Sequence, residues 1–454
     1  MTRGVWIGLA LACAVSPATA QTMNMEQAVE SALQADPRIS ERRHLVDAAR
    51  ALLQEALGHR ALRFDVNSFA GLAPGLEGGF YEGGASSCSA LPCTPRSDAY
   101  EFDDGLSLWA NVQFRVIKPL YTFGKIESYS EAAQGKVDVT RGDVDLERSK
   151  VRLQVTRAYY GYLAARDTRY LFEDVRQRLE NAENLVQRWL RDGAGAVKQS
   201  DLYAVQTGLA VVNKHLAQAR AVEQVALDGL KVLTGVGLDG ELQVAERHIR
   251  PVPLPDRGLA ALQQRALAKR PEMGQLEAGL RARRALVAAS KAEKMPDLYV
   301  GLAGSLAYSP DRDRLDNPFI YDPFNYVGVT PVVGLRWEWA SGVQPARVAR
   351  AQAELEALVE KASFARRGIP FEVAEAYHQA HAHHKAVQEL EQGSRAGRRW
   401  MIARYADFEA GLEEASNVLE AFQGYVLAHS DYLSTVNDYN VHVTRLKTVS
   451  GGYQ

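Results

Sequence analysis

The sequence predicts a mostly α-helical chain with a small antiparallel β part, built as two duplicated halves. Three observations lead to this fold class. From Leu106 to Val116 apolar and polar side chains alternate, with Trp109 as the one aromatic exception on the polar side. This is the period of a strand that has one apolar and one polar face. From Gly124 the period becomes helical for dozens of residues, and the whole stretch recurs later in the chain.

The recurrence is in register over a strand and the helix that follows it. Adding 218 to Gly124 gives Gly342, and the same offset takes Ala158-Tyr159 to Ala376-Tyr377. A repeat of roughly 200 residues is too long for a solenoid unit. The 454 residues are therefore expected to form one duplicated fold, with residues 21–255 as the first structural repeat and 256–454 as the second.

The first 20 residues have the pattern of a secretory signal peptide. Arg3 precedes an apolar run from Val5 to Val15, and Ala18-Thr19-Ala20 precedes Gln21. We expect the mature protein to begin at Gln21 and to be exported. Cys13 leaves a lipoprotein alternative, in which cleavage before this cysteine exposes it to lipidation. No later apolar run is long enough to predict a transmembrane helix.

The net charge bears on the kind of partner, and the cysteines bear on a disulfide or a metal site. The net charge of −2 does not favour a nucleic-acid partner. Beyond the signal peptide the cysteines are Cys88 and Cys93, in a stretch rich in Gly, Ser and Pro. In an oxidising compartment this pair is expected to form a local disulfide, whereas a metal site made from two cysteines alone is the weaker alternative.

Each half begins with a helix that a proline interrupts and that then runs into a β-hairpin. The interruptions are Asp36-Pro37 and Arg270-Pro271, which are 234 residues apart. Polar loops rich in Gly, Pro and Asp separate the two strands of each hairpin, as in the outer loops of membrane barrels. The expected hairpins are residues 64–119 with outer loop 73–105, and residues 297–339 with outer loop 309–325.

A long helix and a returning helix complete each half. The expected helical hairpins are residues 125–235 and 344–450, and the linker 236–255 joins the halves. At about 1.5 Å per residue the outgoing helices could reach roughly 90–100 Å. Pro370 lies inside the second one and is expected to kink or interrupt it.

The strand count predicts an oligomer. Four strands cannot close a barrel, because single-chain membrane barrels have about eight or more. Open edges beside an apolar face are not tolerated in a bilayer, so other copies of the chain must complete the sheet. Long alanine-rich helices favour coiled-coil packing. The residues thus predict an exported homo-oligomer with a shared barrel that long helices continue.

The ordered motifs then indicate a family. They are P-L-Y-T-F-G-K at 119–125, A-Y-Y-x-Y-L-A-A at 158–165, the D-P-R break at 36–38 and F-E-A-G-x-x-x-x-x-N-V-L-E-A at 408–421. Together with the repeat, they resemble the TolC-type outer-membrane efflux proteins (outer membrane factors) over about Met25 to Gly451. The resemblance implies a homotrimer: a 12-stranded β-barrel in outer-membrane lipid, continued by a periplasmic α-helical barrel. The α-helical barrel would dock onto an inner-membrane pump through a periplasmic adaptor protein.

The same resemblance implies roles at the periplasmic tips of the helical hairpins. Asp201, Asn417 and Glu420 would face a narrowing gate, where acidic rings favour cations. Because Asn417 is uncharged where the family often has an acid, strong cation selectivity is not expected. Gly195 and Gly411 would contact the adaptor. The structural alternatives are a solvated Glu420, a helix-initiating Asp201 and two ordinary turn glycines.

Four aromatic residues stand where a strand meets a helix: Tyr121, Phe123, Trp337 and Trp339. Their expected role is an aromatic girdle at the membrane interface, and core packing is the alternative.

A histidine-rich stretch is the one metal candidate. His381 and His384 lie one helical turn apart, with His378, His383 and Glu375 nearby. Because the stretch is polar, a solvated or intersubunit face is favoured, and neither a metal nor a cofactor is expected.

Enzyme chemistry has little support, since the chain has no G-x-S-x-G, H-E-x-x-H or P-loop pattern. The expected function is the exit duct of a tripartite efflux pump or type I secretion system: a passive channel gated at its periplasmic end. A periplasmic coiled-coil adaptor or structural protein without a pore is the alternative.

Overall fold

The computed structural model describes residues 21–77, 101–193, 197–312 and 321–452. The expected signal peptide with Cys13, the Cys88–Cys93 pair and Gly195 lie outside the described residues. The elements are β1 (Gln21–Met23), α1 (Met25–Ala35), α2 (Pro37–Gly58), β2 (Arg63–Glu77), β3 (Glu101–Tyr121), α3 (Lys125–Asp192), α4 (Gln199–Thr234), β4 (Leu242–Val244), α5 (Leu259–Lys269), α6 (Pro271–Ala292), β5 (Asp297–Tyr308), β6 (Tyr326–Arg336), α7 (Val343–Glu409) and α8 (Ala415–Val449).

These elements confirm a mostly helical fold with a small antiparallel sheet and a duplicated element order. The chain forms two compact units, and each unit draws on both repeats. The sheet unit comprises Val46–Val139 and Leu276–Lys361, and the helical unit comprises the chain up to Leu45, Thr140–Gln275 and the chain from Ala362 onward. Across the described residues, no helix is both long and apolar enough to span a membrane.

The sheet unit contains an antiparallel sheet of order β2-β3-β5-β6. Its register places even-numbered residues of β2, β3 and β5 on one face together with odd-numbered residues of β6. That face is apolar and open, with Leu108 70% and Val333 74% exposed. We call it the apolar face. The opposite, polar face carries Asn67, Asn111, Gln113, Arg115, Ser305 and Thr330. The alternation in the sequence therefore becomes a sheet with one apolar and one polar surface.

The first hairpin extends further than its alternation predicts. β2 continues to Glu77 past a register shift at Pro74/Gly75, and β3 already begins at Glu101. Both ends of the expected loop 73–105 therefore belong to strands. Sequence reasoning missed them because Pro, Gly and Asp, which are common there, ordinarily signal turns.

The helical unit is built on the four long helices α3, α4, α7 and α8. Their apolar stripes meet in one core that includes Val175, Leu179, Val212, Met401 and Phe422. Pro370 does not interrupt α7, which continues from Val343 to Glu409. The carbonyl of Pro370 accepts a hydrogen bond from the Gln263 side chain at 3.0 Å.

A short parallel pairing that the sequence did not predict joins the N-terminal segment to the linker. β1 pairs with β4, from Gln21 opposite Leu242 to Met23 opposite Val244. The fully buried Tyr159 donates its hydroxyl to the Met23 carbonyl at 3.2 Å. In the second repeat, the hydroxyl of Tyr439 donates to the carbonyl of Val252 in the linker at 2.8 Å. Buried tyrosines thus anchor both segments to the long helices.

Candidate functional site: the hairpin tips and the strand–helix junctions

The tip between α7 and α8 is closed by a glycine turn. Gly411 has φ +74° and donates its backbone N–H to the Phe408 carbonyl at 2.9 Å. Only glycine adopts this left-handed conformation without strain. Gly411 therefore has the role of a turn glycine. It is exposed, and its contact with an adaptor stays a prediction.

Glu413 connects the two helices at this tip. Its carboxylate pairs with Arg404 of α7 and accepts a hydrogen bond from the side-chain amide of Asn417 in α8. These contacts, with the Asn417 hydrogen bond as the largest, lower the pKa of Glu413 below its usual range. Sequence reasoning identified Asn417 but missed Glu413. Its only signal was an acid between the turn glycine and the start of α8.

Glu420 follows Asn417 by three residues on α8, so the two side chains emerge on the same side of the helix. Glu420 is exposed. Among the described residues its carboxylate has no hydrogen bond or ion pair, whereas Asn417 is bound to Glu413. The tip therefore presents one free carboxylate and one amide that is already engaged. Whether they face a pore stays a prediction.

Asp201 has a local structural role. It lies in the first turn of α4 and accepts a hydrogen bond from the backbone N–H of Lys198 at 2.8 Å. This agrees with the helix-initiating alternative, because an acid in this position satisfies a backbone donor that the helix leaves free. A role of Asp201 at a gate stays a prediction.

The two hairpins pack together just behind their tips. Trp189 of α3 contacts Phe408 of α7 edge-to-face, with ring centroids 5.5 Å apart. Gly208 of α4 faces Leu419 of α8 so closely that an added Cβ would lie 2.8 Å from its side chain. Both tips thus lie at the same end of the helical unit, with an aromatic and aliphatic core directly behind them.

The strand–helix junctions of the sheet unit carry the four aromatic residues. At the first junction, Tyr121 and Phe123 are exposed and meet edge-to-face at 4.7 Å. Phe123 has φ +52°, a strained value for a bulky residue, and Gly124 follows with φ +80°. The chain therefore turns sharply between β3 and α3, with both rings on the outside.

The second junction makes its turn with side-chain hydrogen bonds. Gln344 accepts from the Ala340 N–H at 3.1 Å and donates to the Glu338 carbonyl at 2.9 Å. Trp337 and Trp339 stack at 5.8 Å and are 58% and 77% exposed. Core packing within this chain therefore does not account for the tryptophans. A membrane-interface role stays a prediction.

The histidine stretch does not converge on one point. His381 contacts the carbonyl of Tyr377 on its own helix at 2.9 Å, and His383 stacks on His442 of α8 at 4.5 Å. The other contacts are His384 with Tyr439 and Glu375 with Arg445. In the part of the chain that the structure describes, no three potential ligands are grouped around a common metal position.

Comparison with known families adds an independent observation. Residues 262–452, from α5 to the end of α8, match the model of the Outer membrane efflux protein family. The match covers nearly all of the second repeat and none of the first. No relative is found among curated protein sequences.

Solved structures share the fold over nearly the whole chain. The Campylobacter jejuni CmeC outer membrane channel is 13% identical with a TM-score of 0.75, and the alignment covers 94% of this chain and 85% of that one. The open Neisseria gonorrhoeae MtrE outer membrane channel is 16% identical, with a TM-score of 0.73 and coverages of 95% and 89%. The Vibrio cholerae outer membrane protein VceC is 14% identical, with a TM-score of 0.72 and coverages of 95% and 97%. The first repeat, which the family model does not cover, thus shares the fold of these outer membrane proteins.

Proposed function

We propose that the chain is an outer-membrane exit duct of a tripartite efflux pump or type I secretion system. In this role it is a passive channel gated at its periplasmic end. The observation that carries the proposal is the four-stranded sheet, whose apolar face is exposed and whose outer strands β2 and β6 pair with no further strand among the described residues. Such a sheet is stable in lipid only when further strands close it. A periplasmic adaptor without a pore does not account for that surface.

We infer that three copies of the sheet close into one 12-stranded barrel, so that the channel is a homotrimer. Each copy contributes β2, β3, β5 and β6, and the edge of β6 pairs with the edge of β2 in the next copy. The apolar face then contacts lipid and the polar face lines the lumen. The exposed rings of Tyr121, Phe123, Trp337 and Trp339 end the strands and suit the membrane interface.

The hairpin tips are the proposed gate, and an adaptor linked to an inner-membrane pump would bind around them. Glu420 supplies a carboxylate without a partner among the described residues, and Asp201 lies at the same end of the helical unit. The amide of Asn417 adds no charge, so we expect weak cation selectivity. The Arg404–Glu413–Asn417 cluster holds the α7–α8 tip in its folded form and so opposes opening.

The test is single-channel conductance of the purified mature protein in planar bilayers. Discrete channels are expected, and Glu420→Ala should lower the ratio of cation to anion permeability by roughly twofold, because one ring of charge is lost. Glu389→Ala is the matched control, since Glu389 is an exposed acid of α7 far from the tip in sequence. Glu389→Ala should leave the ratio of cation to anion permeability unchanged.

A wild-type channel whose gate stays closed gives no conductance, so Arg404→Ala is measured in parallel. This change removes the Glu413 ion pair and should raise the open probability. A folded, detergent-stable oligomer that gives no channels either as wild type or as Arg404→Ala would contradict the duct.

A further inference from the structure

The second strand–helix junction forms an open pocket of about 260 Å³. Its lining comes from two segments of the sheet unit: Lys294, just after α6, and residues between Trp337 and Pro345, where β6 leads into α7. The indole N–H of Trp337 donates to the Lys294 carbonyl at 3.1 Å and so joins the two segments. A single copy of the chain therefore builds the pocket.

The pocket carries two opposite charges that are not paired. Among the described residues, neither the Lys294 ammonium nor the Glu338 carboxylate takes part in an ion pair or a hydrogen bond. The acid next to Lys294 in the chain, Glu293, is already engaged by Arg347 at 3.1 Å. Lys294 and Glu338 thus line one pocket without neutralising each other. Such a pocket is complementary to a ligand that itself carries one negative and one positive group.

The pocket lies directly beyond the end of the apolar face. Leu335 is the last residue of β6 on that face, opposite Leu298 of β5, and it is 59% exposed. The exposed rings of Trp337 and Trp339 follow it in the chain. A lipid whose acyl chains lie along Val333 and Leu335 therefore brings its headgroup to the pocket, at the depth where indole rings are favoured.

We propose that this pocket binds the headgroup of a zwitterionic phospholipid with a primary ammonium group, as in phosphatidylethanolamine. Lys294 pairs with the phosphate, and the Glu338 carboxylate accepts hydrogen bonds from the ammonium. A quaternary ammonium has no N–H to donate, and Trp337 and Trp339 stack on each other rather than around a cation.

The size of the pocket fits this headgroup. A volume of about 260 Å³ corresponds to about nine water molecules, and phosphoethanolamine has about eight non-hydrogen atoms. The inference rests on the proposed function, which places the apolar face in lipid. It differs from a general aromatic girdle because it selects one headgroup over others.

Binding is measured by native mass spectrometry of the purified mature oligomer, stripped of lipid and titrated in detergent with phosphatidylethanolamine, phosphatidylglycerol or phosphatidylcholine. The wild type should bind phosphatidylethanolamine roughly threefold to fivefold more tightly than the other lipids. Lys294→Gln should weaken the binding of every lipid by roughly threefold, because each has a phosphate. Glu338→Gln should weaken phosphatidylethanolamine but strengthen phosphatidylglycerol, because the repulsion between the carboxylate and an anionic lipid is lost.

Two matched variants and a soluble competitor are the controls. Lys291→Gln and Glu356→Gln change exposed residues of the sheet unit that do not line the pocket, and both should leave the affinities unchanged. Free phosphoethanolamine should compete only at far higher concentrations than the lipid, because it lacks the acyl chains that contact the apolar face. Competition at equal concentration would mean a soluble phosphate ligand and would overturn the lipid assignment.

A second readout uses the fluorescence of Trp339, taken as the difference between the wild type and Trp339→Phe. The oligomer is placed in vesicles with equal amounts of phosphatidylethanolamine and phosphatidylglycerol, of which only one carries quenching bromine atoms near its headgroup. Brominated phosphatidylethanolamine should quench more, and Glu338→Gln should remove the difference.

Equal affinities or equal quenching in stable oligomers would overturn the headgroup pocket and leave the duct in place. That result would indicate an unselective aromatic girdle or a neighbouring copy over the pocket. A chain that forms no oligomer and does not enter vesicles would instead contradict the proposed function.

Discussion

The two repeats bend their leading helices at the same position with opposite charges. Asp36 caps α1 and donates its N–H to the Ala32 carbonyl, as Arg270 caps α5 and donates to the carbonyl of Ala266. Each is followed by a proline, and each binds the residue two positions ahead: Asp36 binds Arg38, and Arg270 binds Glu272. Both breaks therefore combine a proline with a pair of opposite charges, and the two repeats have the charges in opposite order.

The two bends differ in what else they contact. Arg270 also binds Glu372 of α7 at 2.6 Å, and its side chain is only 11% exposed. Asp36 is buried, whereas its partner Arg38 is partly exposed. Behind each bend lies a glycine that ends a returning helix: Gly235 faces Ala35, and Gly451 faces Lys269. The second bend is thus tied to the long helices by an ion pair as well as by packing.

The largest effect is expected where a returning helix meets a bend. Gly235 has φ +76°, and an added Cβ would lie 2.5 Å from the Cβ of Ala35. Gly235→Ala should cost about 2–3 kcal/mol, because backbone strain adds to overpacking. Gly237→Ala is the matched control, since Gly237 has φ +81° and open space around it. It should cost about 1 kcal/mol, from strain alone. Denaturant midpoints measure both, and equal losses would contradict the close approach.

Arg270→Ala should come next, at about 2 kcal/mol, because Glu272 and Glu372 lose their partner and the buried stem of the arginine no longer packs. Hydrogen exchange followed by mass spectrometry should show faster exchange in peptides around 266–272. Arg257→Ala, at an exposed arginine before α5, is the control. Unchanged exchange at the bend would mean that the proline alone holds it.

Acid should weaken the first bend. The hydrogen bond from the Arg38 side chain is the main reason that the pKa of Asp36 is lowered. A carboxyl with a lowered folded-state pKa contributes stability above its unfolded pKa of about 3.9 and loses it as the pH falls through the folded value. The thermal midpoint of the wild type should therefore fall more steeply below about pH 4 than that of Asp36→Asn. Parallel curves would show that Asp36 contributes nothing.

The smallest effect tests the comparison most directly. Exchanging the charges by Asp36→Arg with Arg38→Glu should cost less than about 1 kcal/mol, if only opposite signs matter. A modest cost is expected because the charge of Glu147 acts favourably on Arg38 and would repel a glutamate there. A loss greater than that of Asp36→Asn, measured by the same denaturant midpoint, would show that the order of charges is fixed in the first repeat.

Local patterns were enough to predict the fold. Period-2 alternation in β3 and the two proline breaks are properties of neighbouring residues. Because the chain is duplicated, each pattern occurs in both repeats and supports the same prediction. The contacts that sequence reasoning missed lie between distant segments. The β1–β4 pairing and the engagement of Asn417 by Glu413 depend on where the chain returns. Trp109 did carry a visible signal as the aromatic exception in a polar row, but its edge-to-face contact with Phe324 could not be read from spacing.

In the proposed barrel, the outer edges of β2 and β6 pair between copies, and the geometry of this pairing sets the number of copies in the ring. An edge that pairs head to tail with the next copy either closes a ring or continues as an open filament. The strength of the edge-to-edge contact does not decide between a ring and a filament. The rotation that relates one copy to the next decides it. Bulges bend strands and increase twist, and here the register shifts lie at Pro74/Gly75 and Pro119/Tyr121. Changes at these two positions should therefore act on the number of copies in the ring more than on the strength with which neighbours hold together.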